Sequence, residues 1–178
     1  MITRLPNCGR LFLTCFLATN FLGMTACNLR STAPKPGRYD IRFELHPSLV
    51  RSSIQIDVVG PNGIDLPKWE KYSINDYWKP GNAMRNDAIK FVVSYGRGDE
   101  TRRVLPVGDP MWTTWLDRGA TTIVIIADLP GEFVDKEGNA DPRRLSLPLD
   151  RRVWGKSTRE IRVNVQESGL TLETPRSL

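Results

Sequence analysis

The sequence contains few side chains that could perform covalent chemistry. Its single histidine is His46, and any Ser-His-Asp triad would have to use it. No Gly-x-Ser-x-Gly pattern marks a serine as a nucleophile. One histidine is too few for a histidine-ligated zinc site, and neither an enzymatic activity nor a cofactor is predicted. A catalytic pair of carboxylates is not excluded, because the spacing of two residues along the sequence does not give their distance in the fold.

A polar stretch places oxygen-bearing side chains at alternate positions, which are Asp135, Glu137, Asn139 and Asp141. Calcium loops use this spacing to turn alternate side chains toward a hard cation. Gly138 does not stand where the helix-loop-helix version requires its glycine, and the bidentate glutamate that ends such a loop is missing. A calcium site and an ordinary exposed loop therefore both remain open.

The tryptophans allow two uses as well. There are five of them, at Trp69, Trp78, Trp112, Trp115 and Trp154. In a sugar-binding protein such rings stack on the ligand, whereas in a sandwich with inserted helices they close the ends of the core. We predict the second use, and keep a glycan-, peptidoglycan- or calcium-binding module as the alternative function.

The N-terminal segment has the order of a secretory signal. Arg4 and Arg10 precede an apolar stretch from Leu11 to about Leu22, and no acidic residue occurs before Cys27. The stretch is interrupted by polar residues and is too short to span a bilayer core, which needs about 20 apolar residues. The sequence therefore predicts export.

The end of this segment, Leu-Gly-Met-Thr-Ala-Cys at 22–27, resembles the lipobox of a bacterial lipoprotein. The resemblance implies that residues 1–26 are removed after Ala26 and that Cys27 carries fatty chains such as palmitate. An ordinary signal peptide cut near Ala26 is the alternative. Asp at the next position favours inner-membrane retention in enterobacterial lipoproteins; here the residue is Asn28, so the outer membrane is expected, with the domain facing the periplasm.

Removal of the signal also bounds the chemistry of the mature chain. Cleavage would take 26 of the 178 residues, together with Cys8 and Cys15, and would leave 152 residues without a thiol for an internal disulfide. Losing Arg4 and Arg10 lowers the formal net charge from +5 to +3, so no nucleic-acid partner is predicted. The length suits one domain at 39–178, after an acylated cysteine and flexible tether at 27–38.

Arginines occur in pairs, at 102–103, 143–144 and 151–152. They are interpreted either as contacts to anionic lipid, lipopolysaccharide or an acidic partner, or as solvated strand edges and turns. Acidic residues are nearly as numerous as basic ones, so the second interpretation is favoured.

Hydrophobic periodicity predicts a mainly-β domain. Apolar residues alternate with polar ones, as in half-buried strands, at 39–45, 53–59, 88–95, 161–165 and 170–172. The unbroken apolar run within 121–127 predicts a central strand buried on both faces. Leu145, Leu147 and Leu149 also alternate, and Pro148 makes that strand an edge or irregular one.

The remaining segments fill in the architecture. Residues 64–87 predict a small helical insert over the end of a sheet, and 109–119 a second helix with Asp109 as its N-cap. The turn at 96–99 predicts a hairpin with 102–107 as the partner strand. Short strands separated by turns indicate an antiparallel β-sandwich with one or two short helical insertions.

This order of lipobox, proline-bearing tether, alternating strands, helical insert, apolar central strand and final strand pair resembles the outer-membrane lipoprotein of the type VI secretion system. The resemblance implies a transthyretin-like sandwich with a structural role, namely docking a periplasmic or inner-membrane partner protein while lipid-anchored through Cys27. It also implies that the loop after the first strand makes the contact, with His46, Ser48 and Arg51 as the candidate residues.

Overall fold

Two four-stranded sheets packed face to face form the described part of the chain. The computed structural model describes residues 35–155 and 157–177. The strands are β1 (Asp40–Leu45), β2 (Ile54–Val59), β3 (Lys90–Tyr95), β4 (Arg102–Leu105), β5 (Thr122–Asp128), β6 (Arg144–Pro148), β7 (Glu160–Gln166) and β8 (Gly169–Leu172). The helices are α1 (Leu66–Lys71), α2 (Ile74–Tyr77), α3 (Ala83–Asp87), α4 (Pro110–Asp117) and α5 (Arg151–Trp154). The predicted mainly-β sandwich with short helical insertions is confirmed.

The two sheets differ in what lies on their outer faces. Strands β4-β1-β7-β8 form the open sheet, and β3-β2-β5-β6 form the covered sheet, with β6 at an edge as Pro148 predicted. Among the described residues, neighbouring strands are antiparallel except β1 and β7, where Ile41 lies opposite Ile161. The predicted antiparallel sandwich thus contains one parallel pair, which the sequence did not indicate, since side-chain alternation has the same period whichever way the partner runs.

The core lies between the sheets and is filled by alternate residues of the strands. On β1, Ile41, Phe43 and Leu45 are buried, while Arg42 and Glu44 are half-buried on the outer face. The other central strands contribute Ile54, Ile56, Val58, Ile123, Ile125, Ile161, Val163 and Val165. Burial of each such side chain contributes about 1.5–3 kcal/mol relative to exposure. The alternation that predicted half-buried strands is confirmed.

Strand β5 is buried on both faces, as its continuous apolar run predicted. Ile123 and Ile125 belong to the core between the sheets. Val124 and Ile126 belong to a second hydrophobic cluster, which includes Ile74 and Tyr77 of α2. The helical insert therefore lies on the outer face of the covered sheet and not over its end, because outward apolar residues of this sheet need a cover.

The predicted hairpin between 88–95 and 102–107 is wrong. After the turn at 96–99 the chain crosses to the other sheet, where β4 pairs with β1. Arg102 lies directly opposite Glu44, and its Nε is 3.0 Å from Glu44 Oε1. A favourable cross-strand charge pair thus stabilises the pairing that forms.

Helix α4 forms as predicted and closes one end of the core. Asp109 Oδ1 accepts a hydrogen bond from Met111 N at 2.8 Å, which is the N-cap contact, and Gly119 ends the segment at φ 84°. Trp112 and Trp115 are fully buried and pack edge to face, with ring centroids 5.5 Å apart. Core closure, the use predicted for the tryptophans, is confirmed for this pair.

The other tryptophans divide between the two hydrophobic clusters. Trp154, on the unpredicted helix α5, is buried and packs edge-on against Tyr39. Trp69 and Trp78 are half-buried and pack the insert against the covered sheet. They cover a sheet face and do not close an end.

The connections fall at two ends of the sandwich. The entry end receives residues 35–39 and carries the connections β2–β3, β4–β5 and β6–β7; the loop end carries β1–β2, β3–β4, β5–β6 and β7–β8. At the entry end, Gly37 N donates to Leu149 O at 2.8 Å and Arg151 N donates to Lys35 O at 3.1 Å. Residues 35–37, which the sequence placed in the tether, therefore lie against the domain.

Residues Ala33–Leu178 form one compact unit. Both hydrophobic clusters draw their buried residues from the segment between Tyr39 and Leu170. The unit thus contains its own core, and we expect it to fold without the segment that precedes it.

Candidate partner-binding site

The predicted lipid-attachment site precedes the described part of the chain. Ala26 and Cys27 both come before Lys35, so cleavage and acylation stay predictions. Within residues 35–155 and 157–177, no helix has the length and apolar character needed to cross a membrane.

The three predicted partner-binding residues lie on the β1–β2 loop and are all exposed. His46 Nδ1 lies 2.9 Å from Ser48 Oγ and accepts a hydrogen bond from Ser48 N at 3.3 Å. These contacts cap a 3-10 turn, Pro47–Leu49, whose Leu49 side chain is fully buried. Arg51 follows on the same loop, after the turn. The loop thus presents polar side chains around one buried anchor.

Backbone hydrogen bonds hold this loop in place. His46 N donates to Val165 O of β7 at 2.9 Å, and Gly98 N of the β3–β4 turn donates to Val50 O at 3.2 Å. Ser52 N closes the turn by donating to Leu49 O at 2.8 Å. The loop is therefore fixed to strand β7 on one side and to the β3–β4 turn on the other.

The surroundings of His46 differ from those of a catalytic histidine. Its ring contacts Ser48 two residues away, in an exposed turn. Within the described residues, no carboxylate hydrogen-bonds to the ring to orient it. The pair has the geometry of a turn cap.

A polar groove of about 400 Å³ adjoins the loop on the outer face of the open sheet. Its wall includes His46, Arg42, Glu44, Arg162 and Asn164. Alternate outward residues of β1 and β7 supply this wall, because the parallel register sets Arg42 beside Arg162 and Glu44 beside Asn164.

An ion-pair ladder crosses the same face. Arg42 Nη2 lies 2.5 Å from Glu160 Oε2, and Arg162 Nε lies 2.8 Å from Glu160 Oε1. Glu44 Oε1 lies 3.0 Å from Arg102 Nε and 4.0 Å from Arg42 Nη1. The ladder alternates in sign, so the face offers paired charges and no uniform field.

Two of the four calcium candidates, Asp135 and Asp141, flank an arginine, and Glu137 is exposed. Arg143 Nη2 lies 2.7 Å from Asp135 Oδ1 and 2.9 Å from Asp141 Oδ2, and Asn139 Oδ1 accepts from Ser146 N at 2.6 Å. Among the described residues, no group of three or more His, Cys, Asp or Glu side chains could hold a metal ion. A guanidinium takes the place that a cation would need between the two aspartates.

The arginine also sets the charge state of these aspartates. Burial works to raise the pKa of Asp135, but hydrogen bonds from Ser73, the Asn75 backbone and Arg143 hold it below its ordinary value. Burial likewise opposes ionisation of Asp141, and hydrogen bonds from Arg143 again lower its pKa. Both carboxylates are therefore ionised and engaged in joining the β5–β6 loop to α2.

A second buried charge cluster holds the insert to the covered sheet. Asp57 on β2 is fully buried and accepts hydrogen bonds from Tyr77 Oη and Arg85 Nε, each at 3.0 Å. Burial and the neighbouring Asp57 raise the pKa of Tyr77, which stays protonated as a donor. Arg85 also stacks on Trp78, with 4.2 Å from Cζ to the ring centroid. This cluster could not be predicted from the sequence, because the position of Asp57 is that of an ordinary outward residue in an alternating strand.

The described tryptophans form no exposed coplanar platform for a sugar. Trp112, Trp115 and Trp154 are buried, and their indole nitrogens donate to backbone carbonyls. Trp78 meets Tyr77 at 88° and Trp69 meets the same ring at 64°, so these rings stand edge to face. Nothing in this arrangement favours the glycan-binding alternative.

No family model and no curated protein matches the chain. Several solved structures resemble it, including the following three. Lip of Serratia marcescens, a membrane-bound component of the type VI secretion system, is 17% identical, covering 78% of this chain and 96% of its own at a TM-score of 0.47. A chain of a type VI membrane complex is 14% identical, covering 78% and 98% at 0.48. The type VI secretion lipoprotein TssJ1 of Pseudomonas aeruginosa is 11% identical, covering 81% and 100% at 0.44. Because all three TM-scores are below 0.5, these similarities do not indicate a function for this chain.

Proposed function

We propose that this chain is a lipid-anchored, non-enzymatic protein of the outer membrane that docks a partner protein in the periplasm. The anchor is Cys27, and the docking surface is the β1–β2 loop with His46, Ser48 and Arg51. The order of elements in the sequence points to a type VI secretion system as the assembly, with an inner-membrane component as the partner.

The observation that best supports the proposal is that the chain enters the sandwich at one end and the β1–β2 loop lies at the other. Residues 35–39 enter at one end of the sandwich, and β1 delivers the chain to the β1–β2 loop at the other. A strand of six residues spans about 20 Å, so the loop lies at least that far from the point of entry. A domain tethered through its N-terminus would thus present this loop away from its own membrane.

The fixed conformation of the loop also suits docking. Its backbone is hydrogen-bonded to β7 and to the β3–β4 turn, and Leu49 is buried beneath it. A loop whose backbone is already ordered does not have to lose that backbone freedom on binding, which favours affinity. The signal segment and this loop support the proposal, which does not rest on the similar solved structures.

The docking part is tested with the unit Ala33–Leu178 and the periplasmic domain of the inner-membrane secretion component from the same bacterium. We expect binding by biolayer interferometry, weakened about tenfold or more by the triple variant His46→Ala, Ser48→Ala, Arg51→Glu. The matched control, Thr113→Ala, Thr114→Ala, Arg118→Glu, makes the same change in formal charge at exposed residues of the entry end and should bind normally. Absence of binding, together with normal secretion after deletion of the gene, would contradict the proposal.

The anchoring part is tested separately with Cys27→Ser in the full chain. We expect labelled palmitate to enter the natural chain and not the variant, because the thiol is the acylated group. Two or more acyl chains anchor stably, so the natural protein should fractionate with membranes. Equal labelling of both chains would contradict the anchor without bearing on the loop.

A further inference from the structure

A basic cavity of about 790 Å³ lies at the entry end. Its lining includes Tyr39 and five cationic side chains, those of Lys35, Arg38, Arg151, Arg152 and Arg159. The basic residues come from the chain entering the domain and from the α5 region that follows β6. The fold therefore gathers onto one cavity cations that are far apart in the sequence.

The acidic residues near this cavity leave most of its positive charge uncompensated. Arg152 pairs with Asp150, and the Asp40 carboxylate, also in the lining, accepts a hydrogen bond from Val107 N at 2.7 Å. Within the described part of the chain, none of the other four cations forms an ion pair. The arginines of the open-sheet ladder, by contrast, are all matched with glutamates.

A buried hydroxyl stands beside one of these cations. Tyr39 is 3% exposed, and its Oη has no hydrogen-bond partner among the described residues. A Cβ placed on Gly37 would lie 3.0 Å from Tyr39 Oη and 2.9 Å from Arg151 Nε, so the two polar atoms flank the same point. A buried hydroxyl without a partner is costly, which makes it a ready donor to an anion held at Arg151.

The composition of the wall fits a phosphate carried on an apolar body. Guanidinium groups bind phosphate oxygens in a bidentate manner. The aliphatic stems of the arginines, with Val107 and the Tyr39 ring, supply apolar surface beneath the charged heads. A free inorganic anion would use the heads alone, whereas a lipid head group would use both.

The position of the cavity points to a membrane lipid as the source of that phosphate. Lys35, in the cavity wall, is eight residues after Cys27, a distance of at most about 28 Å when fully extended. The cavity would therefore stay close to the surface in which Cys27 is anchored.

We propose that this cavity binds the phosphate of an anionic membrane lipid, with Arg38, Arg151 and Arg159 as its cationic contacts and Tyr39 Oη as a hydrogen-bond donor. Binding would hold the entry end against the membrane and fix the direction in which the loop end faces. The inference rests on the proposed anchoring, but not on the proposed partner.

The test uses flotation of Ala33–Leu178 with vesicles of phosphatidylcholine, with and without phosphatidylglycerol. This unit lacks Cys27, so acylation cannot contribute to its binding. We expect binding that requires phosphatidylglycerol, and a partition coefficient about 30-fold lower for Arg38→Gln with Arg159→Gln. The control, Arg97→Gln with Lys136→Gln, removes the same charge from exposed positions at the loop end and should bind like the natural unit.

Two results, one from flotation and one from thermal stability measured with inorganic phosphate, would overturn the proposal. Equal losses in both double variants would mean that binding follows net charge and not the cavity. Stabilisation by inorganic phosphate without any binding to vesicles would mean that the anion is not a lipid head group. Melting temperatures of all variants show that the comparison is made between folded proteins.

The hydroxyl gives a finer test with a soluble short-chain phosphatidylglycerol. Tyr39→Phe should weaken binding about fivefold, the loss of one hydrogen bond. The same variant should keep or raise the melting temperature without lipid, because it removes a buried group that has no partner. Unchanged affinity would overturn the role assigned to Tyr39 Oη.

Discussion

The outer faces of the two sheets carry similar charged residues in opposite settings. On the open sheet, Arg42, Glu44 and Arg102 form partly exposed ion pairs in contact with water. On the covered sheet, Asp57 is fully buried beneath Tyr77 and Arg85 of the insert. Exposed pairs are screened and exchange readily with water, whereas a buried charge without its partner is strongly destabilising. Charged residues on the open sheet should therefore tolerate substitution, whereas the buried charge on the covered sheet should not.

The strongest test of this contrast removes the arginine between the β5–β6 loop and α2. Arg143→Met leaves Asp135 and Asp141 without their shared partner, and we expect a loss of about 3–5 kcal/mol in the free energy of unfolding. Urea denaturation of Ala33–Leu178 measures this loss. Arg97→Met, in the exposed β3–β4 turn, is the control, and a loss for Arg143→Met as small as the control's would break the contrast.

The same cluster predicts a pH dependence. The pKa values of Asp135 and Asp141 are lowered in the folded protein, so their contribution is fully present above the ordinary value of 3.8 and is lost as the pH falls below it. The stability difference between the natural unit and Arg143→Met should therefore shrink through this range. Urea midpoints measured downward from neutral pH check this, and a constant difference would show that Arg143 acts through packing alone.

A smaller effect is expected at the buried Asp57 cluster. Tyr77→Phe removes one hydrogen bond to a buried carboxylate, which should cost about 1.5–3 kcal/mol in unfolding free energy. Hydrogen exchange at α2 should accelerate, since this bond helps to hold the insert. Tyr39→Phe is the matched control, because its Oη has no described partner, and similar losses in both variants would contradict the assignment.

The smallest effect is expected on the open sheet. Glu44→Gln weakens two partly exposed ion pairs and should change the unfolding free energy by less than about 1 kcal/mol. The difference should fade at high salt, because ions screen such pairs. Urea denaturation at low and high salt measures it, and a loss comparable to that of Tyr77→Phe would remove the contrast between the faces.

The elements that local pattern determines could be predicted from the sequence. Alternation gave β1, β2 and β7 to within a residue or two, and the unbroken run at 123–126 predicted burial on both faces of β5. Asp109 predicted the start of α4. In each case the cause lies within a few neighbouring residues.

The predictions that failed concern features set by contacts between distant segments of the chain. The direction of the β1–β7 pair and the transfer of β4 to the other sheet are set by partners that periodicity does not name. The arginine pairs show the same limit at the sites. Arg143 is buried between aspartates, which the favoured interpretation of the pairs as solvated edges and turns did not predict. Arg151 is exposed as that interpretation expects, but its place beside cations from the chain entry could not be predicted.

The pairing of β1 has a consequence for the timing of folding. Ile41 lies between Leu105 and Ile161, so the first strand of the domain waits for partners from the middle and near the end of the chain. Such long-range pairing slows folding, because distant segments must be brought together first. Because β7 comes near the end of the chain, the sheet that contains β1 cannot be completed until almost all of the chain has been made, and a chain that has not finished folding is the form that a translocation channel can thread.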